Sequence, residues 1–360
     1  MLPLRTIHDQ LTSQVPAMTL ATDSTRRPSV SRHVIPSRAW KLLVFLAVCS
    51  VLASDAVAQD RLPKVGLLWG GATAEGTAPY WAPFMQGMRE HGWVQGRNVE
   101  FIERFDEGGK AGLPQLAAEL VALGVDVLAV SDYAVPAALA ATNTVPIVVI
   151  DAYDAIGEGM TSNLRKPTGN LTGVSWQSTE TAAKRLELAK ELLPKLMRVA
   201  LLTDPSDAGP VVEAKGFRAA AASLKIPLKV FEARHADDFP AAFAAIKQYR
   251  PQALMITTNG LMIENLEQIL RFASSVRLPT FSEAAPFAEA GVLLTYGPDI
   301  SDAYRRAATQ VDKLLKGAKP ADLPFEQPGK FELAVNMKTA KALGLRVPRS
   351  IMVRVTRIIQ

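Results

Sequence analysis

From Lys64 onward, short aliphatic and β-branched runs alternate with longer stretches in which apolar side chains recur at helical spacing. That alternation is the mark of βαβ units and a parallel sheet. KVGLLW, residues 64–69, reads as a buried first strand. Pro79 opens a helix that runs to about His91, with Phe84, Met88 and Trp93 near helical spacing and Gly92 as its stop. NVEFIER is a second strand, LPQLAAELVAL a helix ended by Gly124, and DVLAV a third strand; PAALAAT and PIVVI complete a fourth unit near Asp151. One open α/β lobe is in place by residue 150.

The pattern then restarts. A strand over Leu171 to Trp176 leads into a helix from Thr179 to Leu193, stopped by Pro194. RVALLT, PLKVFEA and ALMIT read as strands, separated by the helix VVEAKGFRAAAASL and a helix from Asp237 to Tyr249. A helix from Leu261 to Val276, the short runs PTFS and VLLTY, and a helix over Asp299 to Leu315 follow. About 300 residues exceed one comfortable core, so two lobes are the natural division, and without a low-complexity linker they are joined by crossing strands. The tail is basic through Arg349, Arg354 and Arg357 and packs through Ile351, Val355 and Ile358, with a spacing that fits helix and strand alike. It is too short and too charged to span a membrane.

Upstream lies a different kind of segment. Arg38 and Lys41 precede the apolar run Leu42 to Ala53, and Ala56-Val57-Ala58 then supplies a small-x-small cleavage site, so the mature chain is expected to begin at Gln59 in the periplasm. Residues 1–37, rich in Ser, Thr, Pro and Arg, read as a disordered extension or a long n-region, with Met18 as another start. Leu46-Ala47-Val48-Cys49 resembles a lipobox but places Val48 where a small residue belongs. Residues 1–58 hold six Lys+Arg and three Asp+Glu of the chain's 40 and 35, which leaves 34 against 32 and a net charge of only +2. Such a balance gives no footprint for nucleic acid. Cys49 is the single cysteine, so the mature chain has no disulfide, thiol nucleophile or thiolate metal site.

Several segments carry a resemblance. GNLTGVS (169–175), TAAKRLELAKELLP (181–194), TYGPD (295–299), LLKGAKPADLPFEQP (314–328) and KFELAVNMKTAKALGLRVP (330–348) are similar to the ABC-transporter solute-binding family of tryptophan/tyrosine type. The resemblance implies a periplasmic-binding-protein fold of type I: two Rossmann-like α/β lobes with parallel sheets, lobe 1 from 59–176 and 297–322, lobe 2 from 177–296 and 323–360. Chain crossings are implied near Trp176, Tyr296 and Leu323. It further implies an exported monomeric receptor that captures a small organic ligand, an aromatic amino acid or a related acid, and delivers it to the permease subunits of an ABC importer. No cofactor is implied. The basic tail departs from the family's more acidic ending.

In open parallel sheets ligands sit beyond the carboxyl ends of strands, so the loops after strands hold the candidates. The loop 70–80 offers backbone N–H groups with the Thr73 and Thr77 hydroxyls, groups suited to a carboxylate. Trp69, Tyr80 and Trp81 are placed to stack on an aromatic ligand or to pack in the core. Ser131 and Asp132 follow the third strand and Asp151 the fourth; a carboxylate there suits an ammonium group, with helix capping as the competing use. Asn259, Ser282 and Glu283 stand at corresponding places in the second half, and Asp204 there is explained by capping.

Enzyme signatures are missing. His91 and His235 stand apart in no metal-ligand spacing, no GxSxG or GxxxxGK[ST] occurs, and Gly66 to Gly71 departs from GxGxxG. The alternatives are a periplasmic α/β enzyme using unpatterned carboxylates on a small polar substrate, or the ligand-sensing subunit of a signalling complex.

Overall fold

The computed structural model describes residues 61–70, 74–106 and 111–360, without the side chains of 74–80. The leader, its cleavage site, Cys49 and Thr73 lie outside the described residues, as do the Thr77 and Tyr80 side chains.

Strands β1 (Lys64–Gly70), β2 (Glu100–Asp106), β3 (Val127–Val130), β4 (Ile147–Ala152) and β5 (Leu171–Ser175) form a five-stranded sheet in the order β2-β1-β3-β4-β5, every pairing parallel. Helices α1 (Ala74–Glu90), α2 (Leu113–Ala122) and α3 (Val135–Ala141) connect them. Because helices cover both faces, β3 and β4 are apolar throughout except for Asp151 and fully buried. Along β1 the pleat sends Val65, Leu67 and Trp69 to the side of Phe84 and Met88, and Leu68 to the side of Leu113 and Leu120. Helix α1 begins at Ala74, ahead of the Pro79 start read from sequence. A register shift between Val149 and Ala152 brings β5 so close that a side chain at Gly173, where φ is +153°, would meet the Val149 carbonyl at 2.0 Å.

The second half runs α4 (Ser178–Leu192), β6 (Val199–Thr203), α5 (Ala208–Ser223), β7 (Leu228–Glu232), α6 (Phe239–Tyr249), β8 (Ala253–Ile256), α7 (Gly260–Glu264), α8 (Leu266–Ser275), β9 (Thr280–Ser282), α9 (Ala285–Ala290), β10 (Leu294–Pro298) and α10 (Ile300–Leu315). It closes with β11 (Phe331–Asn336), α11 (Met337–Leu343), α12 (Arg349–Met352) and β12 (Arg357–Ile359). Seven of these strands form one sheet in the order β12-β11-β10-β9-β8-β6-β7, parallel except for the antiparallel pair β10 and β11.

Two sequence expectations change here. The helix expected over Leu261 to Val276 is two helices, broken at Asn265, whose side-chain amide donates to the Leu261 carbonyl at 2.8 Å and so competes with the backbone ladder. The tail is both helix and strand. Ile351 is buried, but Ile358 lies in an edge strand and stays exposed, so it does not pack as expected.

The chain passes between the sheets three times. It leaves β5 after Ser175 for α4, and leaves β10 for α10, which packs on α1 and on β4 and β5 of the first sheet. The third passage comes after Glu326, later than the expected place near Leu323. Thr172 Oγ1 donates to the Leu323 carbonyl at 2.8 Å, and the Ser175 N–H to the Glu326 carbonyl at 2.9 Å, which keeps that segment on β5. Among the described residues no helix is long and apolar enough to cross a membrane.

Candidate functional site

The carboxyl ends of both sheets turn toward one narrow cavity of about 40 Å³. From the first sheet come Trp69 and Gly70 at the end of β1, Ser131 to Tyr133 after β3, and Asp151 and Tyr153 around the end of β4. From the second come Asp207 after β6 and Thr258 to Gly260 after β8. Trp176 reaches in from the first passage between sheets, and Tyr304 from α10.

Aromatic rings make a continuous wall. Trp69 meets Trp81 edge-on at 5.3 Å between centroids and stacks with Tyr304 at 6.3 Å; Trp176 lies 6.5 Å from Tyr304 and 6.4 Å from Tyr153. Trp69, Tyr153, Trp176 and Tyr304 line the cavity, whereas Trp81 packs behind them in the core against Phe84.

The other feature is negative charge. Asp151 is held by two donors, the Asp132 N–H at 2.8 Å and the Tyr304 hydroxyl at 3.1 Å, one on each oxygen. Asp132 itself differs: its Oδ2 is shut off from solvent and has no hydrogen-bond partner. Burial first, then the nearby Asp207, Asp151 and Glu158, push its pKa well above the ordinary carboxylate range. Burial lifts Asp151 to about 6 and the half-buried Glu158 to about 8. The Tyr153 hydroxyl is pushed up by burial and by Asp132. No Lys or Arg is found among the described residues lining the cavity. An arrangement of this kind attracts a cation and repels an anion.

The sequence candidates separate into groups. Trp69, Ser131, Asp132, Asp151 and Asn259 come together at the cavity. Capping does not explain Ser131, whose side chain makes no cap bond to the turn Asp132–Ala134 and whose Oγ is buried without a partner. Asn259 does cap: its Oδ1 accepts from the Met262 N–H, while its amide donates to Asp204 at 3.1 Å and to Asp207 at 3.2 Å, leaving little for a ligand. Asp204 also accepts from the Ser206 N–H and hydroxyl, a turn role close to the capping expected of it.

Ser282 and Glu283 are not among the lining residues. The Ser282 hydroxyl donates to the Ile256 carbonyl at 2.8 Å. The Glu283 carboxylate, expected at the cleft, is turned inward because a fully buried cation, Arg185, needs it: the pair is 3.1 Å apart, with Ser178 and Thr181 hydroxyls completing the shell. Asp207, Tyr133, Tyr153, Trp176 and Tyr304 were missed. Asp207 lies in a loop after a strand, a signal that was available, but Tyr304 sits inside a helix far along the chain and gave none.

At Gly209, in the first turn of α5, the backbone of the second half packs against Tyr153 and Asp132 of this site. A side chain there would stand 2.3 Å from the Tyr153 ring and 2.8 Å from Asp132 Oδ2. Only a bare backbone fits.

Comparison with known proteins places this geometry in context. A tyrosine-binding protein of Clostridioides difficile (strain R20291) is 21% identical over 264 residues, covering 73% of this chain and 76% of that one. A conserved domain protein of Vibrio cholerae superposes with a TM-score of 0.78 at 24% identity, covering 83% of this chain and all of the other. An ABC domain from Streptococcus pneumonia in complex with L-Trp superposes equally well, 0.78 at 23% identity, with the same coverage. These likenesses establish the fold as a type I periplasmic-binding-protein fold, mixed α/β with two sheets dominated by parallel strands. The model of the family described as ABC transporter substrate binding protein matches residues 80–359, and the chain therefore belongs to that family of solute-binding receptors.

Proposed function

We propose that this receptor captures a small aromatic molecule bearing an ammonium group and hands it, unchanged, to the permease of an ABC importer outside the cytoplasm. The carrying observation is the conjunction at one cavity of an aromatic wall and the unpartnered, buried Asp132 Oδ2. Rings supply apolar area and π-faces, and the carboxylate supplies a charge-assisted hydrogen bond with a direction. Relatives named for tyrosine and crystallised with L-Trp are in keeping with this chemistry. Of the two ligand classes raised by the sequence, an ammonium-bearing molecule suits the three lining aspartates better than an acid without one.

The motion would be hinge closure of the lobe built on the first sheet against the lobe built on the second, about the three passages. Ligand held by one lobe gains contacts to the other only when closed, which shifts the population. Such a receptor does no chemistry on its cargo. Isothermal titration with L-Trp, L-Tyr and their amines, followed by recovery of the ligand, tests both parts. We expect saturable one-to-one binding with the ligand recovered intact. Conversion of the ligand by clean protein would move the chain to an enzyme class, and no binding by any member would remove the aromatic-ammonium reading.

A further inference from the structure

We propose that Trp176 is a specificity-determining residue of this receptor: its indole N–H donates to an oxygen of the cargo, so that aromatic amines carrying such an oxygen, as a carboxylate or a ring hydroxyl, bind in preference to those without one. The inference rests on the cavity being the ligand site, as proposed above, and names what that site reads besides the ammonium.

The indole is held in place by its backbone. Trp176 is the first residue beyond β5, on the first passage between the sheets. Its backbone N–H donates to the Ala152 carbonyl at 2.7 Å, and the Ser178 N–H to the Tyr153 carbonyl at 2.9 Å, so the chain is fastened to the end of β4 on both sides of Gln177. Gln177 takes a left-handed conformation, φ 61° and ψ 37°, which is strained for a residue with a side chain. That sharp turn lets α4 start at Ser178 and leaves the Trp176 ring at the cavity, with Tyr153 and Tyr304 as neighbours. A donor fixed before the ligand arrives loses little freedom when it binds.

Packing alone would need no more than the ring. The residue is only 4% exposed, yet Nε1 is shut off from solvent and has no hydrogen-bond partner, a costly state for a polar group. An indole N–H can only donate, so whatever completes it is an acceptor. Away from the cavity, the Trp93 indole has one: its Nε1 donates to Asp312 at 2.9 Å. The Trp81 N–H, behind the aromatic wall, is also unmet and supplies the control. The cavity holds the opposite orphan as well, Asp132 Oδ2, which accepts. A cargo with both an ammonium and an oxygen satisfies the two together. An amine on a bare hydrocarbon ring satisfies one and leaves the indole N–H buried and unmet.

Four ligands separate the sources of that oxygen: L-Tyr has carboxylate and hydroxyl, L-Phe the carboxylate, tyramine the hydroxyl, and phenethylamine neither. Each is titrated calorimetrically into the wild-type protein, Trp176→Phe and Trp81→Phe. Phenethylamine reports the loss of ring packing alone. Relative to it, Trp176→Phe is expected to weaken tyramine about threefold to tenfold where the hydroxyl is the acceptor, or L-Phe about tenfold or more where the carboxylate is, with L-Tyr following the arm that responds. Trp81→Phe removes the same group from behind the wall and is expected to shift all four alike. A second reading needs no variant at position 176 to fold. In NMR spectra of wild-type protein labelled at tryptophan, with signals assigned by elimination through Phe variants of the other tryptophans, the Trp176 indole proton should move downfield with L-Tyr and stay in place with phenethylamine. An equal change for all four ligands in Trp176→Phe, or an indole proton that moves no more with L-Tyr than with phenethylamine, overturns this inference and leaves the aromatic-ammonium reading standing. Binding by none of the four, in protein with a cooperative melt, overturns both.

Discussion

At the scale of single residues, Asp132 is held in a state that stability alone would not select. A buried carboxylate oxygen without a donor costs the folded chain free energy, so removing its charge should help the empty protein and harm the occupied one. Asp132→Asn is expected to weaken an ammonium ligand by about 2–5 kcal/mol while leaving the unliganded melting temperature unchanged or higher. The same charge predicts the pH profile. Its pKa is raised by burial and by its acidic neighbours, and the protonated form cannot pair with ammonium. Affinity should therefore rise with pH through that raised pKa, and Asp132→Asn should lose most of the slope; titration calorimetry between pH 5.5 and about 8 reads both. Tighter binding at the acid end, or a variant with wild-type affinity, would remove Asp132 from the site. This residue was legible in the sequence because a loop after a parallel strand is a place defined by topology. Glu283 occupied an equally good place by that rule and is turned away, since its partner Arg185 is 98 positions distant in the chain and nothing local announces the pair. Tyr304 was hidden for a related reason: its ring sits on the buried stripe of α10, where an aromatic reads as ordinary core.

At the scale of elements, most of the two sheets was legible because strands buried on both faces need continuous apolar runs, and the covering helices need one apolar stripe. The places that resisted are those where one side chain or one pairing overrides the period. Asn265 breaks a helix through its own amide, and the tail becomes a strand only because the edge of β11 is there to receive it. Close approach of elements is likewise invisible to periodicity, and Gly209 is the case that matters for function. Gly209 is buried, and a methyl added there would collide with Tyr153 and Asp132 across the cleft, yet within a helix alanine is intrinsically better than glycine by about 0.5–1 kcal/mol. The two effects belong to different states if the lobes open. Gly209→Ala is therefore expected to keep or slightly raise the unliganded melting temperature while weakening ligand by at least about tenfold, the 1–3 kcal/mol of overpacking falling on the closed form alone. A loss of unliganded stability with unchanged affinity would mean that the contact between α5 and Tyr153 is permanent and that closure does not occur about this point.

At the scale of the whole molecule, buried acid is a property of both halves. The Arg185 guanidinium, 0% exposed, pairs with Glu213 and Glu283, donates to the Tyr296 carbonyl at 3.2 Å and lies over the Phe217 ring, so one cluster ties α4, α5, β10 and the loop after β9 together. One cation serves two carboxylates there, and burial, opposed by Arg185 and reinforced by Glu283, pushes Glu213 upward. Asp151 at the cavity, lifted from 3.8 to about 6, and Glu158 near it, lifted from 4.5 to about 8, shift the same way. An acid whose pKa is higher in the folded chain than in the unfolded one binds its proton more tightly when folded. Its contribution to stability is then complete below the unfolded pKa and is lost as pH rises through the folded one. The unliganded protein should accordingly melt at progressively lower temperature from pH 5 to about 8.5, the reverse of a protein whose carboxylates are mainly in ion pairs. The two sources can be told apart. Glu213→Gln should flatten the part of the slope belonging to the Arg185 cluster and leave ligand affinity alone, whereas a saturating aromatic amine should flatten the part belonging to Asp132, Asp151 and Glu158, because its positive charge replaces their protons. Differential scanning calorimetry of both proteins, with and without amine, separates these arms, and a melting temperature that climbs with pH across the window would show that these carboxyl groups are ionised in the empty fold and that the cavity needs no cation to offset them.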